Sequence, residues 1–162
     1  MIADNLRVVH DRIARACAQA DRPVRSVTLL AVSKTFGAEA VREAVAIGEQ
    51  RFGENYVLEG IEKIAALADL RGRLEWHLIG PLQSNKTRIV AEQFDWVHSV
   101  DRLKIAQRLS EQRPAQLAPL QVCLQVNISG EASKSGLRPD EVAAVAEGAT
   151  VVRVGSAIFG AR

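Results

Sequence analysis

The chain predicts an α/β fold in which parallel strands are joined by helices, arranged either as an open doubly wound sheet or as a closed barrel. Three observations carry this expectation. Short apolar runs rich in branched residues alternate with amphipathic stretches of about ten residues, the rhythm of repeated βα units. Runs such as Val27 to Val32 are nearly continuous in apolar residues, as strands covered on both faces require. Polar residues (Lys34, Asn55, His77, Asn127 and Arg153) recur where a run hands over to its loop, the edge at which such sheets carry their chemistry.

The elements follow in order. Ile2, Leu6, Val9, Ile13, Cys17 and Ala20 fall at spacings of three and four, so a first helix has one apolar stripe and stops before Arg22-Pro23. Val27 to Val32 reads as a buried strand, and Ala38 to Ile47 returns to helical spacing before Gly48 closes it as a C-terminal cap. Arg51 to Asn55 is a short strand and turn, after which Tyr56, Leu58, Ile61, Ile64, Ala65 and Ala68 share one helix face. Glu75 to Pro81 gives a third strand with a Gly-Pro stop, and Ser84 or Asn85 begins the helix carrying Ile89, Val90 and Phe94. Asp95 to Val100 is the fourth strand, with Asp101 as N-cap of the helix Leu103 to Gln112. Leu120 to Ile128 alternates well enough for a fifth strand, Pro139 opens a helix over Asp140 to Glu147, and Val151 to Gly155 is the last strand.

Composition narrows the function. With 162 residues, 48% hydrophobic and 25% charged, the chain (1–162) has the make-up of a single soluble domain with a real core. Lys plus Arg total 21 against 19 Asp plus Glu, and a net charge of +2 with scattered basic residues does not call for nucleic acid as a partner. Cys17 and Cys123 stand far apart in apolar settings, which suits reduced core residues and a cytoplasmic location. No apolar run approaches the ~20 residues that span a bilayer, and Met1 leads into an amphipathic pattern rather than an export signal. Dinucleotide and phosphate-loop fingerprints are missing, and His10, His77 and His98 lack the i, i+4 spacing of a helical zinc site, so no metal is expected.

What remains is the set of polar residues at the strand ends. Lys34 closes an apolar strand, where desolvation lowers a lysine pKa and leaves the amine partly neutral, as a Schiff-base lysine needs to be. Arg153 is a charge inside an apolar strand, costly without a partner, and Gly155-Ser156 forms a turn whose backbone N–H groups suit a phosphate. His77 lies in a strand, where a hydrogen-bonded core histidine is the commoner outcome. Gln83 to Arg88 reads as the solvated start of a helix, and Gly130 to Gly136 as a mobile loop over the strand ends.

Five segments, Ala31-Val32-Ser33-Lys34-Thr35, Phe52-Gly53-Glu54-Asn55-Tyr56-Val57, the run Trp76 to Lys86, Ser133-Lys134-Ser135-Gly136 and the run Val152 to Gly160, together resemble the pyridoxal phosphate homeostasis proteins, the YggS/PROSC family. The resemblance covers essentially the whole chain. It implies a TIM-type (β/α)8 barrel of the alanine racemase N-terminal kind, holding pyridoxal 5'-phosphate (PLP) at the carboxyl ends of the strands. By that likeness Lys34 is the Schiff-base lysine, Arg153 faces the pyridine nitrogen, Gly155 and Ser156 hold the phosphate, and Asn55 and His77 line the ring pocket. The implied role is PLP homeostasis, as a carrier or regulator without substrate turnover, with PLP-dependent apo-enzymes as recipients and a monomer or weak dimer as the assembly. The alternative is a PLP-dependent amino-acid racemase or Schiff-base lyase, for which no second acid/base stands out.

One departure from the family is large. Its further strands and Ser-rich phosphate turn do not occur between Gly136 and the last strand, where Glu141 to Glu147 runs straight into Gly148. Six strands against the barrel's eight imply the absence of about two β/α units of ~30 residues each before the last strand, either because residues of the actual molecule are omitted from this sequence, the favoured reading, or because the chain is internally shortened and leaves an open sheet edge that invites pairing with another chain.

Overall fold

The structure, a computed structural model, describes residues 1–145 and 151–154, the latter as backbone. Six strands, β1 (Ala31–Val32), β2 (Arg51–Glu54), β3 (Glu75–Leu78), β4 (Trp96–Val100), β5 (Gln121–Val126) and β6 (Val151–Val154), form one sheet in the order β1-β2-β3-β4-β5-β6. Every pairing is parallel. A doubly wound sheet starts near its middle and reverses at a switch point, whereas here each strand lies beside its predecessor. Winding that always advances by one strand is the winding of a barrel.

Helices α1 (Ile2–Gln19), α2 (Ala38–Ala46), α3 (Val57–Ala66), α4 (Thr87–Gln93), α5 (Leu103–Gln112) and α6 (Val142–Val145) supply the other layer. Between the layers lies a core that includes Val41, Phe52, Ile64, Trp76, Leu78, Val90, Phe94, Val97, Ile105 and Leu124. Phe52 and Trp76, paired across β2 and β3, bring their ring centroids to 5.8 Å. Side chains alternate along a strand, so the partners of these residues at odd and even register divide the sheet. Phe52, Glu54, Trp76 and Leu78 meet the helices, while Arg51, Gly53, Glu75 and His77 share the opposite face.

Several expectations hold in detail. The first helix ends at Gln19, Gly48 adopts φ +101 behind α2, and Pro139 stands in the first turn of a 3-10 segment, Pro139–Glu141, that leads into α6. Cys17 and Cys123 are both buried. No helix among the described residues is long and apolar enough to cross a membrane.

Others need correction. The strand expected over Val27 to Val32 is regular only at Ala31–Val32, and Val32 is 48% exposed. Among the described residues β1 pairs with β2 alone, and an edge strand has neither a second ladder nor a second neighbour to cover it. The face assigned to the third helix is rotated: Tyr56 and Leu58 are 57% and 59% exposed, whereas Gly60, Lys63 and Ile64 are buried. An apolar pattern cannot find a face built on a paired lysine. Asp101 does not cap α5; Arg102 holds that position, and the Asp101 carboxylate pairs with the Arg102 guanidinium at 3.3 Å. A 3-10 turn, Ser84–Lys86, precedes α4, with the Thr87 hydroxyl donating to the Ser84 carbonyl at 2.9 Å. Residues 146–147 of the helix expected after Pro139 lie outside the described residues.

Candidate functional site

β1 ends in a tight turn. The Ser33 N–H still donates to the Gly53 carbonyl at 3.0 Å, continuing the ladder, and the Phe36 N–H then donates back to the Ser33 carbonyl at 3.1 Å. Lys34 and Thr35 are therefore the two central residues of a four-residue turn. Thr35 has φ +67, the sign that type II turns require at this position and usually obtain from glycine. For a β-branched residue that conformation is strained, and it persists only where surrounding contacts hold it.

Those contacts come from β2 and α3. The Lys63 ammonium, 5% exposed, donates to Glu54 Oε1 at 2.7 Å, to the Ser33 carbonyl at 2.8 Å and to Glu59 Oε1 at 3.3 Å. The Ser33 hydroxyl donates to the same Glu54 oxygen, and the Thr35 N–H donates to Glu59 Oε1. Glu54 is fully buried, which is tolerable only because this cation and hydroxyl face it. Residues on both sides of Lys34 are thus gripped from beneath, while Lys34 itself is exposed and has no ion-pair partner among the described residues. Sequence reasoning missed this network. The Glu54-to-Lys63 separation joins a strand to a helix, so neither helical nor strand periodicity signals it.

Asn55 follows β2 directly and is half-buried. Its carbonyl lies so close to Gly80 that a Cβ built on Gly80 would stand 1.9 Å from it, so the Gly-Pro stop after β3 brings two strand ends into backbone contact. His77 is buried within β3 and stacks on Trp96 of β4 at a centroid distance of 5.3 Å and an interplanar angle of 9°. Both its ring nitrogens are engaged: Nε2 with Glu75 Oε1 at 2.9 Å and Nδ1 with His98 Nε2 at 2.9 Å. A carboxylate only accepts, so Nε2 carries the proton and Nδ1 accepts from His98. Burial pushes the His77 pKa below its ordinary value of 6.5, and it outweighs the opposing pull of Glu75. Glu75 in turn pairs with Arg51 at 3.2 Å, which makes this sheet face a polar surface rather than an apolar one.

The loop after β5 is organised around Asn127. Asn127 donates from its amide to the carbonyls of Glu131 and Lys134 at 3.0 and 3.1 Å, and accepts from the Gly130 N–H at 3.2 Å. The Asn127 N–H donates to the Leu137 carbonyl and the Leu137 N–H donates to the Gln125 carbonyl, both at 2.8 Å, closing the loop at its base, where Gly136 has φ +144. In β6 the backbone sets Arg153 opposite Gln125 in register, on the strand next to this loop. Gly155 and Ser156 lie outside the described residues, as does the side chain of Arg153. Lys34, Asn55 and the end of β6 all belong to the carboxyl edge of the sheet; His77 sits one step deeper.

The alanine racemase N-terminal domain family matches residues 5–150, ending immediately before β6. Curated pyridoxal phosphate homeostasis proteins from Pseudomonas aeruginosa and Escherichia coli are 64% and 55% identical over 146 and 151 residues, in each case 90% of this chain. The chain spans 63% and 64% of the length of those two proteins. Among solved structures, PipY of Synechococcus elongatus with PLP bound is 39% identical with a TM-score of 0.72, over 95% of this chain and 68% of that one. An alanine racemase from Corynebacterium glutamicum, at 19% identity and a TM-score of 0.67 over 97% of this chain and 44% of that one, shares the fold. The run of parallel strands in sequence order, the lysine turn after β1 and these likenesses agree: the chain belongs to the alanine racemase N-terminal domain family and, within it, is similar over most of its length to pyridoxal phosphate homeostasis proteins.

Proposed function

We propose that this chain binds PLP at the carboxyl edge of its sheet through Lys34 and serves cofactor homeostasis, holding and releasing PLP without turning over a substrate. The observation that carries the reading is an exposed lysine, without an ion-pair partner among the described residues, on a turn whose two flanks are held by Lys63 and Glu59. Such a cofactor asks for a reactive amine, an aromatic or polar wall for its ring and donors for its phosphate. Lys34 is the amine, and Asn55 with the His77–Trp96 stack offers the wall. The donor set therefore fits at the aldehyde end, while Gly155 and Ser156 are assigned to the phosphate by the family resemblance alone.

When bound, PLP supplies an aldehyde that condenses with a lysine amine and a pyridine ring that withdraws electrons. Lys34 must lose a proton to react, and its place at the rim lets water take that proton. The family resemblance assigns Arg153 to the ring nitrogen. A guanidinium there would stay charged at neutral pH and offer the nitrogen no proton, so the cofactor it held would be a weak electron sink. That arrangement suits storage better than carbanion chemistry, and PLP-dependent apo-enzymes are the recipients it would serve.

Titration with PLP followed by absorbance tests the reading. The parent chain should develop a protein-bound band that Lys34→Ala lacks. Incubation with L-alanine should leave the product L; D-alanine formed at catalytic rates would overturn the carrier reading in favour of a racemase.

A further inference from the structure

We infer that Glu59 is a positioning residue for Lys34, acting with the buried Lys63–Glu54 pair: one carboxylate oxygen pins the strained Thr35 backbone and so sets where the Lys34 amine stands. The inference rests on the reading of Lys34 as the PLP lysine and adds a residue that no sequence pattern singled out.

The geometry is specific. Glu59 Oε1 accepts from the Thr35 N–H and from Lys63 Nζ, so a single atom joins the turn to the buried cation. Lys63 holds the Ser33 carbonyl at 2.8 Å, which fixes the other flank. Between these anchors only Lys34 is free to choose its backbone angles, and closure of the turn onto Phe36 removes most of that choice. Thr35 at φ +67 relaxes toward negative φ once its N–H loses its acceptor, and that relaxation rotates the peptide that carries Lys34. Glu59 is the accessible member of the network, its side chain 29% exposed against 4% for Lys63 and 0% for Glu54. Removing it leaves the buried pair intact, so position can be separated from stability.

Two substitutions divide the roles. Glu59→Gln keeps an Oε1 acceptor for both donors; Glu59→Ala removes it. The first readout needs no cofactor: hydrogen exchange at the Thr35 amide, expected to be slow in the parent and in Glu59→Gln and at least about tenfold faster in Glu59→Ala. The second is the PLP concentration at which half of Lys34 is captured by borohydride reduction. That concentration should rise about tenfold in Glu59→Ala, the loss of one hydrogen bond to a charged group, and stay within about threefold in Glu59→Gln. All three proteins should unfold in a single transition well above the assay temperature, the Glu59→Ala midpoint lowered by no more than the loss of its bonds to Thr35 and Lys63 accounts for. Unchanged Thr35 exchange in Glu59→Ala, or unchanged half-capture while the parent labels at Lys34, would overturn the positioning role. Absence of Lys34 labelling in the parent, with Thr35 exchange responding as described, would instead overturn the PLP reading and leave the clamp standing.

Discussion

At the scale of single residues, His77 is set by its neighbours. Its position in an apolar strand allows either a core residue or a site residue, and in the structure its buried ring is hydrogen-bonded at both nitrogens and stacked on Trp96, an arrangement compatible with either role. Because burial lowers its pKa, the unfolded chain takes up a proton at a pH where the folded chain does not. The resulting stability is fully present above the ordinary value of 6.5 and declines as pH falls from there through the lowered folded value. The groups facing the ring are Glu75, His98, Trp96, Asp95 and Arg51, and none of the carboxylates reverses that sign. Unfolding midpoints measured between about pH 8 and pH 5 should therefore drop, and His77→Gln should flatten the drop; a parent protein equally stable across that window contradicts the assignment. Gly80 makes a second prediction at this scale. A methyl group there would meet the Asn55 carbonyl at 1.9 Å, so Gly80→Ala should cost about 1–3 kcal/mol in urea unfolding and weaken PLP binding by displacing Asn55.

At the scale of elements, strands and helices were legible where they bury a simple face. The stripe on α1, the Gly48 cap and the Pro139 start follow from apolar spacing and from the φ preferences of glycine and proline. The α3 face was not legible, because the buried position is held by Lys63, whose partner Glu54 lies on a neighbouring strand. Pattern reading treats lysine as an exterior residue, which is right unless a tertiary partner meets it. Likewise the shortness of β1 depends on its place at the edge, which is decided by topology rather than by the run Val27 to Val32. Lys63→Met tests the weight of that pair. It strands a fully buried carboxylate whose Oε2 already has no hydrogen-bond partner among the described residues, and should destabilise by about 3–5 kcal/mol. The double substitution Lys63→Met with Glu54→Leu should recover most of that loss; a single variant as stable as the parent would remove the pair from the account.

At the scale of the whole molecule, parallel strands in strict sequence order separate a barrel winding from a doubly wound sheet, a choice that the alternation of elements alone left open. The same order puts the lysine turn and β6 at opposite ends of the six-stranded sheet, and the end of the family match at residue 150 falls between the described helices and β6. Sequence alone supplied Lys34 and Asn55 as edge residues because each directly follows an apolar strand; it could not supply the clamp, which exists only once β2 and α3 meet beneath the turn. A ligand that binds the folded chain stabilises it by mass action, so PLP at about 100 times its dissociation constant should add about 2.7 kcal/mol to unfolding, and Lys34→Ala should lose most of that gain. The most direct measurement is chemical: add PLP, reduce with borohydride, digest, and locate the phosphopyridoxyl group by mass. A single modified peptide carrying the label on Lys34 is the predicted result. Label spread over surface lysines such as Lys86 and Lys104, with Lys34 unmodified, would contradict the account.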